Sequence, residues 1–153
     1  MIERLIGLLK EKGLKISTAE SCTGGMLSAL ITSVSGSSDV FSYGFVTYSN
    51  DAKVKLLGVS EDSLRVWGAV SETVALEMCR GARRASGGDI AVAITGIAGP
   101  KSDNTDKPVG LVYIGVSSQA GEVCEKFLFD GSRDEIRQAS VNAAISLCIG
   151  VIE

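Results

Sequence analysis

The chain of 153 residues contains no histidine. Histidine is the usual general base and the commonest metal ligand, so its absence excludes Ser-His and Cys-His catalysis. Any hydrolytic base must then be Lys, Tyr, Asp or Glu. Paired cysteines are also missing: Cys22, Cys79, Cys124 and Cys148 are scattered without zinc or disulfide spacing, as suits reduced thiols in a cytosolic protein. There is no basic run, aromatics make up 5% of the chain, and 15 Lys and Arg face 18 acidic residues for a net charge of -3. This balance points away from nucleic acid and membrane partners and toward a small soluble ligand. No apolar segment is long enough to span a membrane, and the charged start from Met1 to Lys12 does not read as a signal peptide. A cytoplasmic location is the expectation. Linkers, repeats and low-complexity segments are absent, and the length suits a single domain over residues 1–153 that buries roughly two thirds of its unfolded surface.

What is present centres on the stretch from Lys15 to Ala29. Leu14 to Ala19 reads as a short buried strand, and Gly25 to about Val34 carries Met26, Leu27, Leu30, Ile31 and Val34 at helical spacing. The tight turn between them holds Ser21, Cys22, Thr23, Gly24 and Gly25. Small nucleophilic side chains thus stand where a strand hands over to a helix, whose free N–H groups favour a phosphate or an oxyanion.

The remaining elements follow in order. Residues 2–12 form an amphipathic helix stopped at Gly13. Val40 to Tyr48 is β-rich, and Ser49-Asn50-Asp51 caps a short helix from Ala52 to Leu57 that carries Lys53 in its first turn. A second short helix starts at Ser60, and Ser71 opens a longer one that closes at Gly87-Gly88. Ile90 to Thr95 reads as a strand buried on both faces, followed by Gly96 to Pro100 and a polar loop from Lys101 to Lys107. Val109 to Ser117 and Val123 to Phe129 form a hairpin, and Asp130-Gly131-Ser132 caps a last helix through Ile152 with Ile136, Ala139, Ala143, Ile145 and Leu147 inward. Strands alternating with helices and closed by a hairpin predict an α/β fold, a three-layer α/β/α domain with a mixed β-sheet.

Several residues carry possible chemistry. Ser21 suits a nucleophile with oxyanion-stabilising amides behind it, and equally a helix cap. Cys22 is a rival nucleophile or a small buried thiol. Gly24 and Gly25 can cradle a phosphate, although their spacing matches neither a P-loop nor a dinucleotide fingerprint. Lys53 is a base if its site is closed to water, and a solvated surface lysine otherwise. Tyr48 reads as a strand aromatic with its hydroxyl at the surface. Arg133 and Arg137, one helical turn apart, suit a phosphate or a solvated helix face. Glu20, Asp103 and Asp106 are further acids without distinguishing spacing.

Taken together, the motif blocks resemble one family. Thr18-Ala-Glu-Ser-Cys-Thr-Gly-Gly25, Gly36-Ser-Ser38, Gly44-Phe-Val-Thr-Tyr-Ser-Asn50 with Ala52-Lys53, Gly68-Ala-Val-Ser-Glu72, Thr95-Gly-Ile-Ala-Gly-Pro100, Lys107-Pro-Val-Gly110 and Arg133 through Arg137 look like the CinA C-terminal domain. The likeness runs in order over nearly the whole chain. Stand-alone members of that family include nicotinamide-nucleotide amidohydrolase, or NMN deamidase, and nothing here resembles the separate N-terminal domain of the longer members.

The resemblance implies hydrolysis of nicotinamide mononucleotide to nicotinic acid mononucleotide and ammonia, without metal or cofactor. It carries a serine-lysine pair onto Ser21 as nucleophile and Lys53 as base, with Tyr48 assisting proton transfer or orienting the lysine. Amides from Cys22 to Gly25 would hold the oxyanion, and Thr23, the loop of Gly96, Ala98 and Gly99, and Arg133 or Arg137 would meet the phosphate. Two features depart from the family pattern: Lys101 to Asp106 has no glycine where the family is commonly glycine-rich, and Leu111 replaces a common threonine. A non-catalytic nucleotide-binding module and an accessory to DNA uptake or recombination are the alternative readings. A mean hydropathy of +0.26 and the habit of the family lead us to expect a homo-oligomer.

Overall fold

A strand with an unbroken apolar run can be covered on both faces, and Ile90–Gly96, apolar from Ile90 to Ile94, meets that condition. In the computed structural model, which describes residues 1–153, it lies at the centre of a five-stranded sheet. The strands are β1 (Ile16–Glu20), β2 (Phe41–Val46), β3 (Ile90–Gly96), β4 (Leu111–Ser118) and β5 (Gly121–Leu128), in spatial order β2-β1-β3-β4-β5. The helices are α1 (Ile2–Lys12), α2 (Met26–Thr32), α3 (Asn50–Leu57), α4 (Glu61–Trp67), α5 (Glu72–Ser86) and α6 (Arg133–Ile152), with one 3-10 turn at Ser37–Asp39. β1 pairs in parallel with both β2 and β3, whereas β3, β4 and β5 run antiparallel, so the sheet is mixed as expected.

Side chains alternate across the sheet and sort the helices into two layers. Ile16, Ile90, Val92, Ile94, Val112, Ile114 and Val116 face α1, α2 and α6, where Leu5, Leu9, Leu27, Ile31, Ile136 and Ile145 complete the larger core. Ala19, Ala91 and Ala93 face the other way and meet Val74, Met78, Cys79 and Ala82 of α5 with Leu57 at the end of α3. No helix is long and apolar enough to cross a membrane. Cys22, Cys79 and Cys148 are buried thiols and Cys124 is half-buried; none is disulfide-bonded.

Connectivity decides where a ligand can enter. From β1 the chain passes through α2 to β2 on one side; from β2 it passes through α3, α4 and α5, on the opposite face, to β3 on the other side. Where the strand order reverses in this way, between β1 and β3, connections on opposite faces leave a crevice beyond the carboxyl ends of the strands. The carboxyl ends of β1, β2 and β3 therefore deliver Ser21, Thr47 to Lys53, and Gly96 to Ala98 to one place.

Three expectations shift. β2 ends at Val46 rather than Tyr48, because the carbonyls of Thr47 and Tyr48 turn away to a side chain. β5 runs from Gly121 to Leu128 rather than Val123 to Phe129, because the antiparallel ladder continues to the Ser118–Gly121 pair and tightens the hairpin. On α6 the buried stripe is Ile136, Ser140, Val141, Ala144, Ile145, Cys148 and Ile149, which leaves Ala139, Ala143 and Leu147 half-buried at its margin.

Candidate active site

Ser21 follows β1 directly, and its N–H continues the sheet ladder to Ile94 O at 3.0 Å. The chain must then reverse within a few residues to enter α2, and Gly24 (φ +56°) and Gly25 (φ +105°) supply the left-handed backbone that this requires. Within the turn, Gly24 N–H donates to Ser21 O and Met26 N–H to Thr23 O. The amides of Cys22, Thr23 and Gly25 donate to no protein acceptor. Unpaired amides are uncommon in such a buried setting, and here they follow the candidate nucleophile.

Glu20 holds this turn from beneath. Its fully buried carboxylate accepts from Thr23 Oγ1 (2.7 Å), Leu27 N (2.8 Å), Ser28 N (3.0 Å) and Ser28 Oγ (2.8 Å). Four donors satisfy the charge, and two of them are amides at the start of α2, where negative charge is favourable. Arg137 braces the outer side: Nε donates to Cys22 O at 3.0 Å and Nη2 to Thr23 O at 3.2 Å. Thr23 is itself buried, so its hydroxyl serves the Glu20 network.

Lys53 is not a surface lysine. It sits in the first turn of α3, which Ser49 caps by accepting from Ala52 N, and it is 1% exposed with no carboxylate partner. Its Nζ donates to Ser21 Oγ at 2.9 Å, Thr47 O at 2.7 Å and Tyr48 O at 3.4 Å. Burial lowers its pKa from 10.5 to about 8. Loss of a proton suits the same partners: two N–H groups still serve the two carbonyls, and the contact with Ser21 reverses, the amine lone pair accepting from the serine hydroxyl. Burial drives Cys22 the other way, to about 11, so its thiol stays protonated near neutral pH and is the weaker nucleophile.

A cavity of about 240 Å³ opens on this pair. Ser21, Cys22, Tyr48, Lys53, Gly96, Ala98 and Arg133 line it, as do Asn50, Ala69, Val70, Thr95 and Asp103. Tyr48 is 64% exposed, and its phenol bonds to Arg133 Nη2 at 3.3 Å; its contact with Lys53 is through the main chain. Arg133 Nη1 donates to Gly99 O at 2.7 Å and so ties α6 to the loop after β3. The structure therefore brings Ser21, Cys22, Lys53, Tyr48, Gly96, Ala98 and Arg133 together. Thr23, Gly24, Gly25, Gly99 and Arg137 support the walls without lining the cavity.

Sequence reasoning did not reach Asn50, Ala69, Val70 or Thr95 as wall residues, or the bracing role of Glu20. Thr95 Oγ1 donates to Ala69 O at 2.8 Å and fixes the segment between α4 and α5 over the cavity. Only the position of Thr95 at the carboxyl end of a buried strand hinted at a site. No cluster of His, Cys, Asp and Glu suited to a metal ion is present.

The family model described as CinA C-terminal domain matches residues 1–152. A putative competence-damage inducible protein of Caldicellulosiruptor saccharolyticus is 51% identical over 145 residues, 95% of this chain and 35% of that protein. A CinA-like protein of Syntrophobacter fumaroxidans is 50% identical over 147 residues, again 95% of this chain and 35% of the relative. The chain thus spans about a third of the length of these relatives. Among solved structures, the competence/damage inducible protein CihA from Agrobacterium tumefaciens superposes with a TM-score of 0.95 at 43% identity, covering 99% of this chain and 93% of that one. A CinA superfamily protein from Escherichia coli gives a TM-score of 0.93 at 32% identity, covering 99% and 90%.

Proposed function

The chain belongs to the CinA C-terminal domain family, and from that premise we propose that it is an amidohydrolase acting on the carboxamide of nicotinamide mononucleotide. The observation that carries this reading is the buried Lys53 Nζ at 2.9 Å from Ser21 Oγ in a chain without histidine. Neutral Lys53 takes the Ser21 proton as Oγ attacks the carboxamide carbon, and the free amides beginning at Cys22 receive the oxyanion. Lys53 then hands that proton to the leaving nitrogen, and ammonia departs from the acyl-enzyme. A water molecule deprotonated by Lys53 attacks the ester, releases nicotinic acid mononucleotide and restores the serine hydroxyl. Arg133 meets the phosphate at the cavity mouth, because two of its five N–H groups are engaged and the others are free.

Ammonia release from nicotinamide mononucleotide by wild type, Ser21→Ala and Lys53→Ala, each checked for folding, tests the reading. Turnover by wild type and loss in both variants supports it. A folded wild type without turnover anywhere between about pH 6 and 9 overturns it in favour of a binding module. We further propose that copies self-associate, on the basis of the exposed Val123 and Leu128 of edge strand β5; light scattering that gives a monomer mass at micromolar concentration would refute this.

A further inference from the structure

Two opposite charges line the same small cavity without pairing. Arg133 and Asp103 both face it, and no ion pair within 4.0 Å joins them. Each is held by neutral partners instead. Arg133 bonds to Gly99 O and the Tyr48 hydroxyl, while Asp103 Oδ1 accepts from the N–H and the hydroxyl of Thr105. The loop that carries Asp103 is pinned at its end, where Lys107 Nζ donates to Trp67 O and Val70 O, both at 2.6 Å. Val70 itself lines the cavity. Opposite charges on one cavity attract, so neutral anchors that hold each of them unpaired leave both available to a ligand carrying both signs.

Nicotinamide mononucleotide is such a ligand. Its ring nitrogen is alkylated and positive, and its phosphate is negative. The guanidinium suits the phosphate, and a carboxylate beside the phosphate would be repelled. The carboxamide must reach Ser21 at the base of the cavity, so the ring bearing it fills the space that Asp103 borders. Ser21 and Asp103 line the same cavity of about 240 Å³, so a ring presented to Ser21 shares that space with the carboxylate.

We propose that Asp103 is a specificity-determining residue that reads the positive ring of the pyridinium amide, opposite Arg133. The cavity then selects the oxidised, zwitterionic mononucleotide over its reduced dihydropyridine form. The two ligands share carboxamide, ribose and phosphate and differ in ring charge. This inference rests on the mononucleotide reading above and adds to it a source of selectivity in the glycine-free loop.

The test is calorimetric binding of the oxidised and reduced mononucleotides to Ser21→Ala, which removes turnover, and to Ser21→Ala combined with Asp103→Asn. Asparagine keeps an Oδ1 acceptor for Thr105, so the loop retains its local bonds. Ser21→Ala should bind the oxidised form about threefold to fivefold more tightly, the range of a partly exposed charge pair. The added Asp103→Asn should bring the two affinities together by weakening only the oxidised ligand, and Asp103→Glu in its place should retain the preference. Equal weakening of both ligands, or a preference that survives Asp103→Asn, overturns the inference while leaving the mononucleotide reading intact. No measurable binding of either ligand to Ser21→Ala overturns both.

Discussion

Gly81 on α5 lies directly against the main-chain carbonyl of Leu57, the last residue of α3; a Cβ at Gly81 would stand 1.9 Å from that oxygen. No rotation of a side chain relieves such a contact, because both partners are backbone. The hydrogen at Gly81 therefore sets how closely α3, and with it Lys53, docks on α5. Gly81→Ala should cost roughly 1 to 3 kcal/mol of stability and lower turnover more than substrate binding. Urea unfolding and steady-state kinetics check both; a variant as stable and active as wild type would show that α3 can slide without consequence.

Activity should follow deprotonation of Lys53. Burial lowers its pKa to about 8, so the competent neutral amine is a minor species at neutral pH and predominates above that value. The rate with limiting substrate should climb with pH through about 8 and then level. A profile flat across that point would assign the base elsewhere.

Stability should carry the same signature. The folded pKa lies below the ordinary value of 10.5, so between about 8 and 10.5 the unfolded chain binds more protons, and stability from this group rises with pH. Below about 8 the lysine is charged in both states and its contribution is level. Relative to Lys53→Met, wild type should gain about 3 kcal/mol across the window. Denaturant unfolding of both proteins in a pH series measures the difference, and parallel curves would refute the burial argument.

Glu20→Gln should be damaging although it conserves shape. Oε1 accepts from Leu27 N and Oε2 from Ser28 N, so an amide nitrogen in either place faces a backbone N–H. The expected cost is about 2 to 3 kcal/mol, with lower turnover as the Ser21 turn shifts. Thr23→Val removes one hydroxyl donor from the same network and should cost about 1 kcal/mol. Chemical unfolding ranks the two.

Arg133 and Arg137 should separate kinetically. Arg133 lines the cavity, so Arg133→Ala should raise KM for the mononucleotide about tenfold, one charge-assisted hydrogen bond, and leave the riboside, which lacks the phosphate, unchanged. Arg137 instead holds Cys22 O and Thr23 O, so Arg137→Ala should reduce kcat for both compounds. The opposite pattern would exchange their roles.

Much of the fold was legible locally. The apolar run of β3, the caps at Ser49, Ser71 and Ser132, and the glycines that stop α1 and α5 all act within a few residues, so sequence alone placed those elements. The edge position of β5 was not legible, because it depends on the order of strands in the sheet. The roles of the two arginines were equally hidden: they share a helix face in sequence, yet one reaches the cavity and the other the back of the turn.

By itself the sequence determined the available chemistry: Ser21 in a glycine turn, no histidine, one lysine just past the second strand, and an alternating α/β order. Tertiary structure alone decided that this lysine is the base candidate. Ser21 and Lys53 are 32 residues apart, and they meet because the chain leaves β1 and β2 on diverging paths. A lysine in the first turn of a short helix is solvated unless other elements strip its water. Here the strand ends and the docking of α3 against Gly81 do so, lowering its pKa and aiming its nitrogen at the serine.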